Sequence, residues 1–94
     1  MTSLEAFAKI IKGHEGRLVL TDPARITNTK VDGNSTRFIG GFVQNSSGAV
    51  LIEINVCSER WINLKAFDST SRRVRATKED SVAAAQITLA NWLV

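Results

Sequence analysis

The sequence predicts an α+β fold: an N-terminal helix, an antiparallel sheet of five strands, or six, and a C-terminal helix packed on one sheet face. Three observations predict it. Apolar residues recur at helical spacing only near the two ends, at Leu4, Phe7, Ala8 and Ile11 and again at Val82, Ala85, Leu89 and Leu93. Between them the period changes to two, most clearly in Val50, Ile52, Ile54 and Val56. The connections between these strands are of hairpin length, and parallel strands would need long crossovers instead. With 94 residues and an apolar fraction of 44%, residues 1–94 read as a single domain with material for one core.

Each element has a local reason. Thr2 followed three residues later by Glu5 fits a capping box, so the first helix starts near Thr2. Gly13 offers a left-handed stop, with Lys12 placed favourably at the negative end of the helix dipole. His14-Glu15-Gly16 is then a short connector.

Strands are expected at 17–21 and 25–31, separated by a turn or sheet edge at Asp22-Pro23. Asp32-Gly33-Asn34 is a hairpin signal, because these residues tolerate the positive φ of tight turns. The next strand, 36–44, contains Gly40-Gly41, which suggests a bulge, a sharp coil or a close backbone approach. Asn45-Ser46-Ser47-Gly48 is a second turn. Both Asn34-Ser35-Thr36 and Asn45-Ser46-Ser47 match the glycosylation sequon and are read as polar turns.

Residues 49–57 form the strongest strand, with Val50, Ile52, Ile54 and Val56 on one face and Leu51, Glu53, Asn55 and Cys57 on the other. Residues 60–67 repeat the alternation: Ile62, Leu64 and Ala66 face one side, Trp61, Asn63, Lys65 and Phe67 the other. Asp68 to Ser71 is a loop, and 72–76 is a candidate terminal strand. Thr77 or Asp80 would cap the last helix, whose apolar stripe Ile87, Ala90 and Val94 broaden. The chain closes on Trp92-Leu93-Val94, an apolar end that must dock somewhere.

Catalytic chemistry finds little support. The single histidine, His14, and the single cysteine, Cys57, would have to meet to form a nucleophilic pair. The bland reading is a satisfied connector histidine and an inert strand cysteine. One of each, with scattered carboxylates, does not supply four convergent metal ligands. Glu79-Asp80 fall at the expected helix start, where the dipole stabilises them without any acid–base role. Gly40-Gly41 lacks the lysine and hydroxyl residue of a phosphate loop. No catalytic residue, metal or small-molecule cofactor is therefore expected.

One cysteine also rules out an internal disulfide. Glu5, Lys9 and Lys12 interrupt the first apolar run, so no signal peptide is read there, and no membrane-spanning run occurs. A cytoplasmic location, with no membrane partner, is the expectation.

Charge is the more informative signal. Residues 1–59 hold six basic and six acidic side chains and so balance. Residues 60–78 hold six basic side chains, Arg60, Lys65, Arg72, Arg73, Arg75 and Lys78, against Asp68 alone. Guanidinium groups match phosphate geometry, and Trp61 beside Asn63 and Lys65 makes a plausible base-stacking platform. The residues expected to bind a partner are thus Arg60, Trp61, Asn63, Lys65, Arg72, Arg73, Arg75 and Lys78. The opposing reading is a solvated basic face, with Trp61 covering a second core layer or a subunit contact. Leu51, Trp61 and Phe67 leave the second sheet face half apolar, which suggests a partner unless the sheet coils around them.

The layout of helix, antiparallel strands and closing alanine-rich helix resembles that of double-stranded RNA-binding domains. Those carry a lysine cluster at the start of the last helix, whereas here only Lys78 precedes Glu79-Asp80. Size and class are also similar to those of small phage-encoded antagonists of host machinery, such as anti-CRISPR proteins. The expectation is a non-catalytic binding protein that contacts nucleic acid or a nucleic-acid-associated protein through the basic segment. The alternative is a protein-binding inhibitor or adaptor, with a homodimer as one form.

Overall fold

A computed structural model describes residues 1–27, 35–42 and 49–93. Within them the order is α1 (Ser3–Lys12), β1 (Leu18–Thr27), β2 (Ser35–Phe42), β3 (Leu51–Ser58), β4 (Trp61–Phe67), β5 (Arg73–Glu79) and α2 (Val82–Trp92). The five strands follow one another across a single antiparallel sheet in the order β1-β2-β3-β4-β5. Counted as two halves, the irregular first strand brings the number to six. The α+β architecture expected from the sequence is therefore the one observed. The hairpin turns expected at Asp32-Gly33-Asn34 and Asn45-Ser46-Ser47-Gly48 lie outside the described residues, as do 28–31, 43–44 and Val94.

Both helices pack on the same face. Its fully buried side chains include Ile10 of α1, Leu89 of α2, and Ile52, Ile54, Val56, Ile62 and Leu64 of the two central strands. Burying each such side chain contributes about 1.5–3 kcal/mol, so these few rows dominate the stability of the fold. The alternation expected for 60–67 holds, with Ile62, Leu64 and Ala66 all buried. In β3 it holds from Ile52 to Val56, but Val50 precedes the strand and is 45% exposed. Its neighbour Ala49 is the buried residue there.

Several local expectations are corrected by tertiary contacts. The Thr2–Glu5 capping box forms, with reciprocal hydrogen bonds of 3.1 and 3.2 Å. The face of α1 that meets the core, however, is Ala6, Phe7 and Ile10, while Leu4 and Ala8 are exposed. Phe7 belongs to both possible stripes, and packing against the sheet and α2 selects one of them.

Gly13 is not a left-handed stop. It is right-handed (φ −67°), and a Cβ there would lie 2.8 Å from the Gln86 carboxamide of α2. That carboxamide donates to the Lys9 carbonyl at 3.0 Å, so a side chain at position 13 would displace a hydrogen bond that ties α2 to the end of α1. The left-handed position is Gly16, at φ 85°.

The two strands expected around Asp22-Pro23 are one strand. Its pairing with β2 shifts register between Leu20 and Asp22 and again between Asp22 and Arg25. Proline has no N–H for a regular ladder, so it sits where the pairing is interrupted. The irregularity suspected at Gly40-Gly41 thus falls on the facing strand, and both glycines pair in register with β3.

The final strand extends through Glu79, which displaces the start of α2. Neither Thr77 nor Asp80 caps the helix. Ser81 does, its hydroxyl accepting from the Ala84 N–H at 3.0 Å. Glu79 is a strand residue whose carboxylate accepts from the Thr88 hydroxyl at 2.8 Å, tying α2 to β5. Ala85, Leu89, Trp92 and Leu93 are buried, so the apolar end docks into the chain's own core. Ile87 and Ala90 point to solvent and do not broaden the stripe.

Candidate binding face

The sheet face away from the helices carries the residues that the core does not use. Register places Arg37, Asn55, Asn63 and Lys78 in one row across β2 to β5. Ile39, Glu53, Lys65 and Ala76 form the next row, and Gly41, Leu51, Phe67 and Arg73 the third. Directly opposed residues of an antiparallel pair share a face, so each row is a line of neighbours.

Trp61 stands at the start of β4, opposite Ser58 and next to the first row. It is 39% exposed, and the Lys78 ammonium lies 5.4 Å from its ring centroid. That is a cation–π distance, and it leaves the indole part exposed at the edge of the face. At the opposite end of β4, Phe67 is only half-buried.

Charge on this face is unequal. Across β2 to β5 the basic groups are Arg37, Lys65, Arg73 and Lys78, against Glu53; in β1 the register adds Arg25 opposite Arg37 and Asp22 opposite Ile39. Glu53 opposes Lys65 and accepts from the Arg37 guanidinium at 3.4 Å, a diagonal cross-strand pair. Arg37 Nε and the Asn55 carboxamide oxygen are buried donor and acceptor on opposed residues, each without a hydrogen-bond partner among the described residues. The middle of the face is therefore polar, with amides at Asn55 and Asn63 between charged ends.

The β4–β5 connection fixes where the arginines stand. Asp68 accepts from the Thr70 hydroxyl at 2.7 Å, the Thr70 N–H at 2.9 Å and the Arg72 N–H at 3.0 Å. The Thr70 hydroxyl and the Arg72 backbone hold its carboxyl below the usual carboxylate range. Ser71 takes the left-handed position (φ 64°), as expected of a short hairpin loop.

The structure divides the eight residues expected from the sequence. Trp61, Asn63, Lys65, Arg73 and Lys78 share the outer face. Arg75 pairs with Ala66 and so stands on the helix-bearing side, exposed. Arg72 is in the loop. Arg60 lines an open hollow of 240 Å³ with Met1, Glu59, Asp80, Ser81 and Val82, where carboxylates offset its charge. Sequence reasoning missed Arg37, Asn55 and Ile39, because charge and apolar runs along the chain do not reveal which strands pair.

Cys57 and His14 do not meet. Cys57 is buried at an irregular step of the β3–β4 ladder, between Val56 and Ser58. Nearby Glu59 contacts the Met1 ammonium at 3.8 Å, while His14 lies past the far end of the ten-residue α1. At 1.5 Å per residue, α1 alone separates the two ends by about 15 Å. Among the described residues no group of three or more His, Cys, Asp or Glu side chains could hold a metal. No helix among them is long and apolar enough to cross a membrane.

His14 lies in the connector as expected, and among the described residues only one of its ring nitrogens is left unsatisfied. It is 6% exposed, with Nε2 buried and unpartnered among the described residues. Burial pushes its pKa below the ordinary 6.5; the Gln86 carboxamide opposes this shift and Arg17 adds to it. A depressed pKa means that the unfolded chain binds the proton more readily. Stability is therefore full above 6.5 and falls as the pH drops through the window between 6.5 and the lower folded value. Urea midpoints measured from about pH 8 to about pH 5 should decline below the ordinary histidine range, and His14→Gln should flatten that decline. An unchanged profile in the variant would assign the acid sensitivity to carboxylates.

These features define the class of structure: a small α+β domain with one face closed by helices and one face open, basic and partly aromatic. No family model matches the chain, and no curated protein or solved structure is significantly similar to it. The functional reading therefore rests on the chemistry of the open face.

Proposed function

We propose that the chain is a non-catalytic nucleic-acid-binding module whose ligand lies along β4 and β5 on the outer face of the sheet. The observation that carries this reading is the Lys78–Trp61 pair, an ammonium 5.4 Å from a part-exposed indole. It sits at one end of a face that also presents Lys65, Arg73 and Arg37. An aromatic surface beside cations suits a ligand with flat bases and a phosphate backbone, and it suits an acidic protein less well.

The test is fluorescence anisotropy with labelled DNA and RNA oligonucleotides at two salt concentrations. For three to four phosphate contacts, raising salt from about 50 to about 200 mM should weaken binding to single strands roughly 20- to 50-fold. Absence of binding at low salt, or binding indifferent to salt, would overturn the proposal.

A second reading draws on α2, which has no charged side chain and exposes Ile87 by 65% beside Ala83 and Ala90. Light scattering on the same samples separates the two readings. A dimer that Ile87→Glu converts to monomer, with no oligonucleotide bound, would move the assignment to a second copy of the chain.

A further inference from the structure

We infer that the ligand of the outer face is single-stranded rather than duplex nucleic acid, an inference that rests on the nucleic-acid reading above. Two ways of reading a duplex are not open to this fold. A groove-reading helix is held on the duplex chiefly by basic side chains that contact phosphates, and α2 has none from Val82 to Trp92. The basic residues of α1, Lys9 and Lys12, stand in its last turn, and its opposite side is packed on the sheet. The sheet itself is too broad to enter a groove. Five strands at about 4.8 Å spacing span about 19 Å, whereas the major groove of B-form DNA is about 12 Å wide and admits a helix or a two-stranded ribbon.

The groups able to recognise bases are also recessed. Asn55 and Asn63 are half-buried between charged ends, so they can reach base edges only if those bases are splayed onto the face. The outward side chains of β4 are, in order, Trp61, Asn63, Lys65 and Phe67: aromatic, amide, cation, aromatic. Six residue steps at about 3.3 Å separate the two aromatics by roughly 20 Å. That length accommodates on the order of four nucleotides, the lower end of the range for single-strand platforms. Lys78 beside Trp61 and Arg73 beside Phe67 place a cation next to each aromatic, where the phosphates of stacked nucleotides run.

The experiment compares a labelled 12-nucleotide single strand, as oligo-dT and oligo-U, with a mixed-sequence duplex of the same length. Measurements are made at low salt on the full chain and on Trp61→Ala, Trp61→Phe and Lys12→Gln. The single strand should bind at least tenfold more tightly than the duplex. Trp61→Ala should weaken single-strand binding on the order of ten- to a hundredfold and leave duplex binding unchanged. Trp61→Phe, which keeps a stacking ring, should retain most of the affinity, and Lys12→Gln all but a small part. Unfolding midpoints confirm that each variant is folded. If the duplex binds as tightly and Trp61→Ala weakens both ligands alike, the single-strand inference falls and the nucleic-acid reading of the outer face stands; if Trp61→Ala alters neither ligand, both fall. If neither ligand binds, both fall.

Discussion

Trp92→Ala should lower the unfolding free energy by about 3–5 kcal/mol, the range for removing a buried tryptophan. A domain of this size is stable by only about 5–14 kcal/mol, so a large share of its stability depends on one side chain near the C-terminus. Trp92 is 6% exposed and belongs to the same buried cluster as Ile10, Ile52, Leu64 and Leu89. Its loss leaves a cavity at the last turn of α2, next to a helix end without charged side chains to fix it elsewhere. Urea denaturation followed by circular dichroism reads the effect, and the thermal midpoint should fall by at least about 12 °C. A loss below about 1 kcal/mol would show that α2 is held by Ala85 and Leu89 alone.

Thr36→Val should act in the opposite direction. Thr36 is fully buried on β2, opposite Val56, and its hydroxyl has no hydrogen-bond partner among the described residues. Burying a hydroxyl without a partner costs about 1–3 kcal/mol. Valine keeps the β-branched shape and removes the polar atom, so the variant should gain about 1–2 kcal/mol with an unchanged denaturant slope. A loss of stability instead would mean that the hydroxyl is satisfied, by water or by the chain, in solution. The pair of variants separates two properties of one core: how much its closure contributes, and how much an unsatisfied group within it costs.

The candidate site was only partly legible in the sequence. Trp61, Asn63 and Lys65 share a face because alternate residues of any strand do, and no partner strand is needed to know it. Their company could not be read the same way. Lys78 meets Trp61 only because β5 runs to Glu79 and pairs Lys78 with Asn63. The run Arg72-Arg73-Val74-Arg75 looks like one patch along the chain, yet a register shift opposite Ala66 and Phe67 sends Arg73 and Arg75 to different faces. Arg37 arrives from 16 residues before Glu53 through the β2–β3 pairing.

Local physics was sufficient for the class of fold: two terminal helical stripes, strands with period two between them, and the Thr2–Glu5 capping box. Each depends on interactions within a few residues, or on a periodicity that any partner surface would require. The tertiary structure alone decided which stripe of α1 is buried, where α2 begins and which basic residues share the open face. These depend on contacts between different elements, such as Gln86 with Lys9, Thr88 with Glu79 and Lys78 with Trp61. A helix can rotate about its axis, and a strand can slip in register, at little local cost. Only packing against the rest of the chain selects one arrangement.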